Sequence, residues 1–150
     1  MRVILQRVSS ASVTIEGRVV SAIATGLLVL VGIEAADTAA DGEWLAEKIS
    51  KLRLFPDETG QMNRSITEIA GELLLVSQFT LYASTAKGTR PSFNAAAKPE
   101  QARPLYELFI KQLEQALGRP VPTGQFGAMM DVAITNSGPV TLILDSKSRV

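Results

Sequence analysis

Two segments of the chain are apolar at every position, a pattern typical of β-strands that are covered on both faces. The first is Leu27-Leu28-Val29-Leu30-Val31, and the second is Leu73-Leu74-Leu75-Val76. The second segment runs directly into Ser77-Gln78-Phe79-Thr80, so polar groups arrive where a buried strand ends. The sequence therefore predicts two central strands, one of which leads into a polar segment.

Five further segments have strand-like patterns and predict the rest of the sheet. They are residues 3–8, 12–15, 18–21, 131–135 and 140–144. Glu16-Gly17 is a two-residue hairpin signal. Asn136-Ser137-Gly138-Pro139 has the residue types of a tight turn, because asparagine initiates turns, glycine permits positive φ and proline fixes φ. We therefore predict a turn at each of these two places.

Helical spacing of apolar residues predicts two helices. The first follows Asp41, which is the expected N-cap, and the second is expected to span Pro99–Leu117, where Gly118 stops it. The helices do not alternate regularly with the strands, which argues against a doubly wound sheet. We expect a mixed α/β fold in a single domain, residues 1–150. Curved mixed β-sheets would form a partly barrel-like core, with the two helices packed on one side.

The composition narrows the possible chemistry. The chain has no histidine and no cysteine, which excludes a Ser-His-Asp triad, a thiolate nucleophile and most catalytic zinc sites. Lys plus Arg and Asp plus Glu number 15 each, so bulk charge cannot hold nucleic acid and any RNA contact must be local. Without a leader pattern or a membrane-length apolar run, we expect a cytoplasmic protein with no membrane partner. Without histidine or cysteine we expect that no metal is required, and we expect no cofactor.

Two segments are candidates for chemistry, and the residue pattern leaves two interpretations of each. In Ser77-Gln78-Phe79-Thr80, the polar side chains either bond to nearby backbone as the strand leaves the core, or line a cleft at a rigid strand end. Asn136-Ser137-Gly138-Pro139 is either an ordinary turn or a rigid pair of carbonyl acceptors. The latter needs a cis Gly138-Pro139 bond, which only about 5% of X-Pro bonds adopt.

Three other features are weaker candidates. The basic loop with Lys87 and Arg90 is either a solvated surface loop or a rim that meets phosphate or ribose. The residues Phe126, Met129 and Met130 are of types that pack in cores more often than they line ligand pockets. Arg7 lies within an apolar strand, where a cation needs a carboxylate or backbone carbonyls as partners.

Taken in order along the chain, four motifs closely resemble the D-aminoacyl-tRNA deacylase family, also known as D-tyrosyl-tRNA deacylases. They are Gln6-Arg7-Val8-Ser9-Ser10-Ala11-Ser12-Val13, Ser77-Gln78-Phe79-Thr80-Leu81, Arg90-Pro91-Ser92-Phe93 and Asn136-Ser137-Gly138-Pro139-Val140-Thr141. The resemblance covers essentially the whole chain. Ser137 stands where relatives often carry an acidic residue.

The resemblance implies a homodimeric proofreading hydrolase that binds the aminoacylated 3′ end of tRNA and not DNA. It would hydrolyse D-aminoacyl-tRNA and mischarged glycyl-tRNA. By the same resemblance, a cis Gly138-Pro139 motif enters the partner's pocket and excludes L-aminoacyl groups, while Arg7 holds that motif through backbone carbonyls. The implied catalytic residues are Ser77, Gln78, Phe79 and Thr80, with Asn136 and Met129 in support and Lys87 and Arg90 at the tRNA rim.

The chemistry of an ester substrate limits the roles that these residues can take. Backbone N–H groups near Phe79 and Thr80 are candidate oxyanion donors, and one such donor contributes about 3 kcal/mol to the transition state. A threonine without a base is a weak nucleophile, so we expect Thr80 to position the reactants while the terminal 2′-OH of the tRNA activates water. The competing hypotheses are a non-catalytic dimeric module that binds a small molecule or nucleotide, and a purely structural dimer.

Overall fold

The computed structural model describes residues 1–149, and these form seven strands, two α-helices and a short 3₁₀-helix. The strands are β1 (Arg2–Ile15), β2 (Arg18–Ile23), β3 (Gly26–Gly32), β4 (Arg53–Pro56), β5 (Met62–Ser65), β6 (Glu72–Ser77) and β7 (Asp131–Asp145). The helices are α1 (Ala39–Lys51) and α2 (Pro99–Leu117), and the 3₁₀-helix spans Phe79–Tyr82. Within the described residues, neither helix combines the length and the apolar character needed to cross a membrane.

The long strand β1 organises the main sheet. Its first half pairs with β3 and its second half with β2, while β7 lies antiparallel along its other edge. β6 extends the sheet by pairing with β3 in parallel. The result is a mixed sheet of five strands that curls into a half-barrel, as expected.

Both helices pack on the same side of this sheet, which confirms that part of the predicted architecture. Leu45 and Ile49 of α1 join Phe109 and Leu113 of α2 in the larger core, together with alternate side chains of β1, β3 and β6. The intervening side chains of β3 and β6 enter a second, smaller core on the other face of the sheet. The two wholly apolar segments are therefore buried on both faces, as their patterns predicted.

Several predicted element boundaries were wrong. Residues 3–8 and 12–15 belong to one continuous strand, and the short hairpin β4–β5 was not predicted. The N-cap of α1 is Thr38 and not Asp41, because Thr38 has the extended backbone that a cap requires. Asp41 lies three residues later and its carboxylate accepts the Thr38 N–H at 2.8 Å, which completes a capping box.

The predicted turn at residues 136–139 is also wrong, because the chain does not reverse there. β7 continues through these residues and pairs with β1 on both sides of them. Gln6 lies opposite Thr141 and Val8 lies opposite Asn136, so residues 137–140 of β7 all face Arg7. The turn-forming residues thus build a bulge, which carries unpaired backbone out of a regular strand.

Candidate functional site

Parallel pairing places the end of β6 beside the end of β3. Ser77 lies opposite Val31, and the Gln78 N–H donates to the Val31 carbonyl at 2.7 Å. The chain then turns sharply into the 3₁₀-helix, which packs directly on Gly32. A β-carbon at Gly32 would lie 3.0 Å from the Leu81 Cβ and 3.1 Å from the Gln78 carbonyl oxygen, which is tighter than an ordinary van der Waals contact, so glycine favours this close approach.

A mostly apolar cavity of about 360 Å³ opens beside this turn. The rings of Phe79 and Phe93 meet edge to face there, with their centroids 5.2 Å apart, and Phe126 contributes a third ring to the lining. Ser77 and Gln78 supply polar groups at one wall, and Lys98 lies at another. An apolar cleft of this size with a few converging polar groups is typical of a small-ligand site.

The turn also presents hydrogen-bond donors that have no partner. Within residues 1–149, the backbone N–H groups of Phe79 and Thr80 donate to no acceptor, because they begin a 3₁₀-helix. The Gln78 side-chain amide donates to the Thr80 hydroxyl oxygen, which leaves the hydroxyl proton free to donate elsewhere. Two unpaired N–H groups next to a cavity are suited to binding a developing oxyanion.

The only tyrosine in this turn is not suited to proton transfer at neutral pH. Tyr82 closes the 3₁₀-helix, and its ring lies under the Arg2 guanidinium at 4.8 Å. Its burial, together with the nearby carboxylates of Asp37 and Glu34, raises the pKa of the Tyr82 phenol well above its usual value. The phenol therefore stays protonated, and the turn offers hydrogen bonds in place of a general base.

Arg7 holds the bulge of β7 in place. Its Nε donates to the Ser137 carbonyl at 3.0 Å and its Nη1 to the Leu54 carbonyl at 2.7 Å. Gly138 has a φ of +129°, and a β-carbon there would lie 2.9 Å from Arg7 Nη2. The cation therefore has the backbone partners that it needs, and both its position and the φ angle require glycine at residue 138.

A second brace comes from the strand itself. The Asn136 side-chain oxygen accepts the Val140 N–H at 3.2 Å, and its amide nitrogen donates to the Thr141 hydroxyl at 3.0 Å. The Gly138-Pro139 peptide bond between these residues is cis, and both residues are exposed. The asparagine thus satisfies a backbone donor that the bulge removes from the β ladder.

The predicted site residues fall into separate places on one chain. Among the described residues that line the cavity, none belongs to residues 136–139. Met129 is 91% exposed and Phe79 is 57% exposed, so two large apolar side chains face outward near these segments. Lys87 and Arg90 lie on the exposed loop that a Ser84–Ser92 bridge closes, and they do not line the cavity.

Sequence reasoning missed part of the cavity. Phe126 was assigned to the core on its residue type, whereas it packs against buried Tyr106 and also lines the cavity. Lys98 was not singled out, although a lysine directly before the proline that starts a helix has a well-defined position. The Lys98-Pro99 pair was therefore the feature of the sequence that could have identified Lys98 as a residue with a fixed position.

The chain is similar to known proteins over nearly its whole length. Residues 4–145 match the family model described as D-Tyr-tRNA(Tyr) deacylase. A D-aminoacyl-tRNA deacylase from Opitutus terrae is 60% identical over 99% of both chains. The solved structure of a c-Myc DNA Unwinding Element Binding Protein is 42% identical, with a TM-score of 0.90 over 97% of this chain and 98% of that one.

A more distant structure has the same fold. It is described as a probable eukaryotic D-amino acid tRNA deacylase and is 18% identical. Its TM-score is 0.84, and the match covers 96% of this chain and 98% of that chain. At this identity the comparison bears on the fold alone.

The role of Arg7 can be tested by hydrogen exchange. Arg7→Lys removes the fork that reaches two carbonyls, and a hydrogen bond to a charged group is worth about 1.5–3 kcal/mol. We therefore expect the Val140 amide to exchange at least about tenfold faster, measured by NMR under native conditions. Arg18→Lys, on the exposed β2 strand, is the matched control. Equal exchange in both variants would show that Arg7 does not hold the bulge.

Proposed function

The chain belongs to the D-Tyr-tRNA(Tyr) deacylase family and is a D-aminoacyl-tRNA deacylase, and we propose how its residues divide the work. The proposed reaction is hydrolysis of the ester between a D-amino acid, or glycine, and the terminal ribose of tRNA in the cytoplasm. The observation that carries the proposal is the pair of unpaired N–H groups of Phe79 and Thr80 beside an aromatic cavity.

The cavity is the proposed site of the terminal adenosine. Three phenylalanine rings offer stacking and edge contacts to a base, and aromatic contacts of this kind contribute about 1–3 kcal/mol per base. Such contacts do not distinguish one tRNA from another, since every tRNA ends in the same nucleotide. This agrees with a chain of zero net charge, which cannot bind RNA through bulk electrostatics.

In the proposed reaction, the ester carbonyl lies against Ser77-Gln78-Phe79-Thr80. The N–H groups of Phe79 and Thr80 stabilise the oxyanion as water attacks, and each contributes about 3 kcal/mol. Thr80 donates its free hydroxyl proton to the substrate or to water, since its oxygen is already bonded to Gln78. The terminal 2′-OH of the tRNA assists the attacking water, because the turn carries no general base.

Selection of handedness is the proposed role of the bulge. In a homodimer, Gly138 and Pro139 of one subunit would enter the partner's cavity and present backbone carbonyls to the Cα of the aminoacyl group. The exposure of Gly138 and Pro139, and their absence from their own chain's cavity lining, support this arrangement. Exposed Phe79 and Met129 offer apolar surface for the dimer contact. An L side chain would collide with the carbonyls, whereas a D side chain would point away.

A deacylation assay tests the proposed reaction. Wild-type protein is incubated with D-Tyr-tRNA, L-Tyr-tRNA and Gly-tRNA, and the remaining ester is followed over time. We expect hydrolysis of the D and glycyl esters at least about a hundredfold above the spontaneous rate, the value of one oxyanion donor. Equal loss of the L ester would contradict selection by the bulge. Binding without turnover of any ester would favour a non-catalytic module.

The role of Thr80 has its own test. If Thr80 only positions the reactants, Thr80→Val lowers turnover by about tenfold or less, the value of one neutral hydrogen bond. A D-aminoacyl-tRNA that ends in 2′-deoxyadenosine is expected to react roughly 10²–10⁴-fold more slowly, the usual contribution of a proton-transfer group. Complete loss of turnover in a folded Thr80→Val protein that still binds tRNA would make Thr80 the nucleophile. Normal hydrolysis of the 2′-deoxy substrate would exclude substrate assistance.

A further inference from the structure

Two exposed cations of the segment that begins α2 lie next to the cavity. Lys98 lines the cavity directly before α2, and the Arg103 guanidinium lies over the ring of Phe126, 4.9 Å from its centroid. Within residues 1–149, neither side chain forms a salt bridge or donates a hydrogen bond, which distinguishes them from the cations that pair with carboxylates. Those paired cations are Arg2, Lys51, Arg64 and Lys147.

Arg103 is stacked in a way that leaves its donors available. Phe126 is fixed from beneath by Tyr106, whose ring centroid lies 5.5 Å away and which is only 3% exposed. Burial raises the pKa of Tyr106 to about 12, so this support stays a neutral phenol. A guanidinium over an aromatic ring can still direct its planar N–H groups at an anion, and phosphate fits that fork in a bidentate manner.

Lys98 is positioned by the start of α2. Pro99 follows it, and Lys98 has the extended backbone that a residue before proline adopts, with φ −68° and ψ 154°. Its carbonyl accepts the N–H groups of Gln101 at 2.9 Å and Ala102 at 2.8 Å, which fixes the backbone. Lys98 and Arg103 are five residues apart, or about 7.5 Å along the helix axis. Both positive charges therefore lie next to the cavity, since Lys98 lines it directly and Arg103 stacks on Phe126, which also lines it.

We propose that Lys98 and Arg103 bind the backbone phosphates of the tRNA 3′ strand as it leaves the cavity. This inference rests on the proposed function. In a terminal adenosine, the ester is on the 2′,3′ side of the ribose and the phosphate is on the opposite, 5′ side. With the ester at Ser77-Gln78-Phe79-Thr80, the 5′ phosphate faces the start of α2. A chain with zero net charge needs such local cations to hold the strand.

The test compares two substrates that differ in their phosphates. Lys98→Met and Arg103→Met keep an apolar stem and delete the charge, and each is assayed on D-aminoacyl-tRNA and on 3′-O-(D-aminoacyl)adenosine, which has no phosphate. For each variant we expect the loss of kcat/KM on tRNA to exceed the loss on the nucleoside ester by roughly tenfold, the value of one charge-assisted hydrogen bond. Lys98→Arg, which keeps the charge, is expected to restore the tRNA reaction.

Salt dependence separates a phosphate contact from a merely structural role. The binding constant is measured for deacylated tRNA, which carries no amino acid, and its logarithm is plotted against the logarithm of the salt concentration. Each Met variant is expected to reduce the slope by about 0.7, the value for one single-strand phosphate. Arg18→Gln is the control. Arg18 is exposed and pairs with Ile15 at the end of β1, whereas the cavity lies near the start of β1. Loss of this charge is expected to leave the salt slope and the activity unchanged.

The outcomes distinguish this proposal from the proposed function. Equal losses on the two substrates, or an unchanged salt slope in both Met variants, would overturn the phosphate site. Failure of the wild-type protein to hydrolyse either ester would overturn the proposed function. The binding slopes would then still decide the phosphate site, since they need no turnover.

Discussion

The parallel pairing of β3 with β6 is the constraint on which the site depends. Both strands are buried on both faces, and their side chains are divided between two packed cores. A one-residue slip would exchange the side chains of the two cores and disrupt the packing of both. That register sets Ser77 opposite Val31 and fixes where the chain must turn. Because the chain turns there, the backbone N–H groups of Phe79 and Thr80 have no acceptors among the described residues. A rigid hydrophobic pairing thus positions the two backbone donors that stabilise the oxyanion in the proposed reaction.

The bulge in β7 is held by a different kind of interaction. Four residues of β7 stand opposite Arg7 alone, and the guanidinium compensates for the missing ladder bonds by binding backbone carbonyls. The side chain that would be costly inside an apolar strand is therefore the one that stabilises the irregular backbone. In the proposed mechanism, this backbone excludes L-aminoacyl groups and admits D-aminoacyl groups. Both halves of the site are then built from main-chain atoms, which suits a chain without histidine or cysteine.

Local patterns were sufficient to predict the elements whose burial is uniform. The strands at residues 27–31 and 73–76 and the helix Pro99–Leu117 followed from apolar runs, helical spacing and the glycine that ends α2. The motif at residues 136–139 could not be predicted from its residue types, because a turn and a bulge use the same ones. What separates them is pairing with β1, over 120 residues away in the chain.

The cavity illustrates a second limit of local patterns. Its lining joins the end of β6, the start of α2 and the segment around Phe126, which only the tertiary fold brings together. Ser77-Gln78-Phe79-Thr80 was identified because it directly follows an apolar strand. Lys98 and Phe93 do not follow an apolar strand, and Phe126 is of a residue type that usually packs in a core. The resemblance to a known family supplied roles for residues that physical reasoning left open.

The most direct measurement is a crystal structure with a non-hydrolysable amide analogue of 3′-(D-aminoacyl)adenosine. We expect the adenine to lie among Phe79, Phe93 and Phe126, with the aminoacyl carbonyl oxygen about 2.7–3.1 Å from the N–H groups of Phe79 and Thr80. The carbonyl of Gly138 from a second subunit should face the Cα of the analogue. An analogue bound outside this cavity, or a carbonyl directed away from both N–H groups, would contradict a site built from backbone.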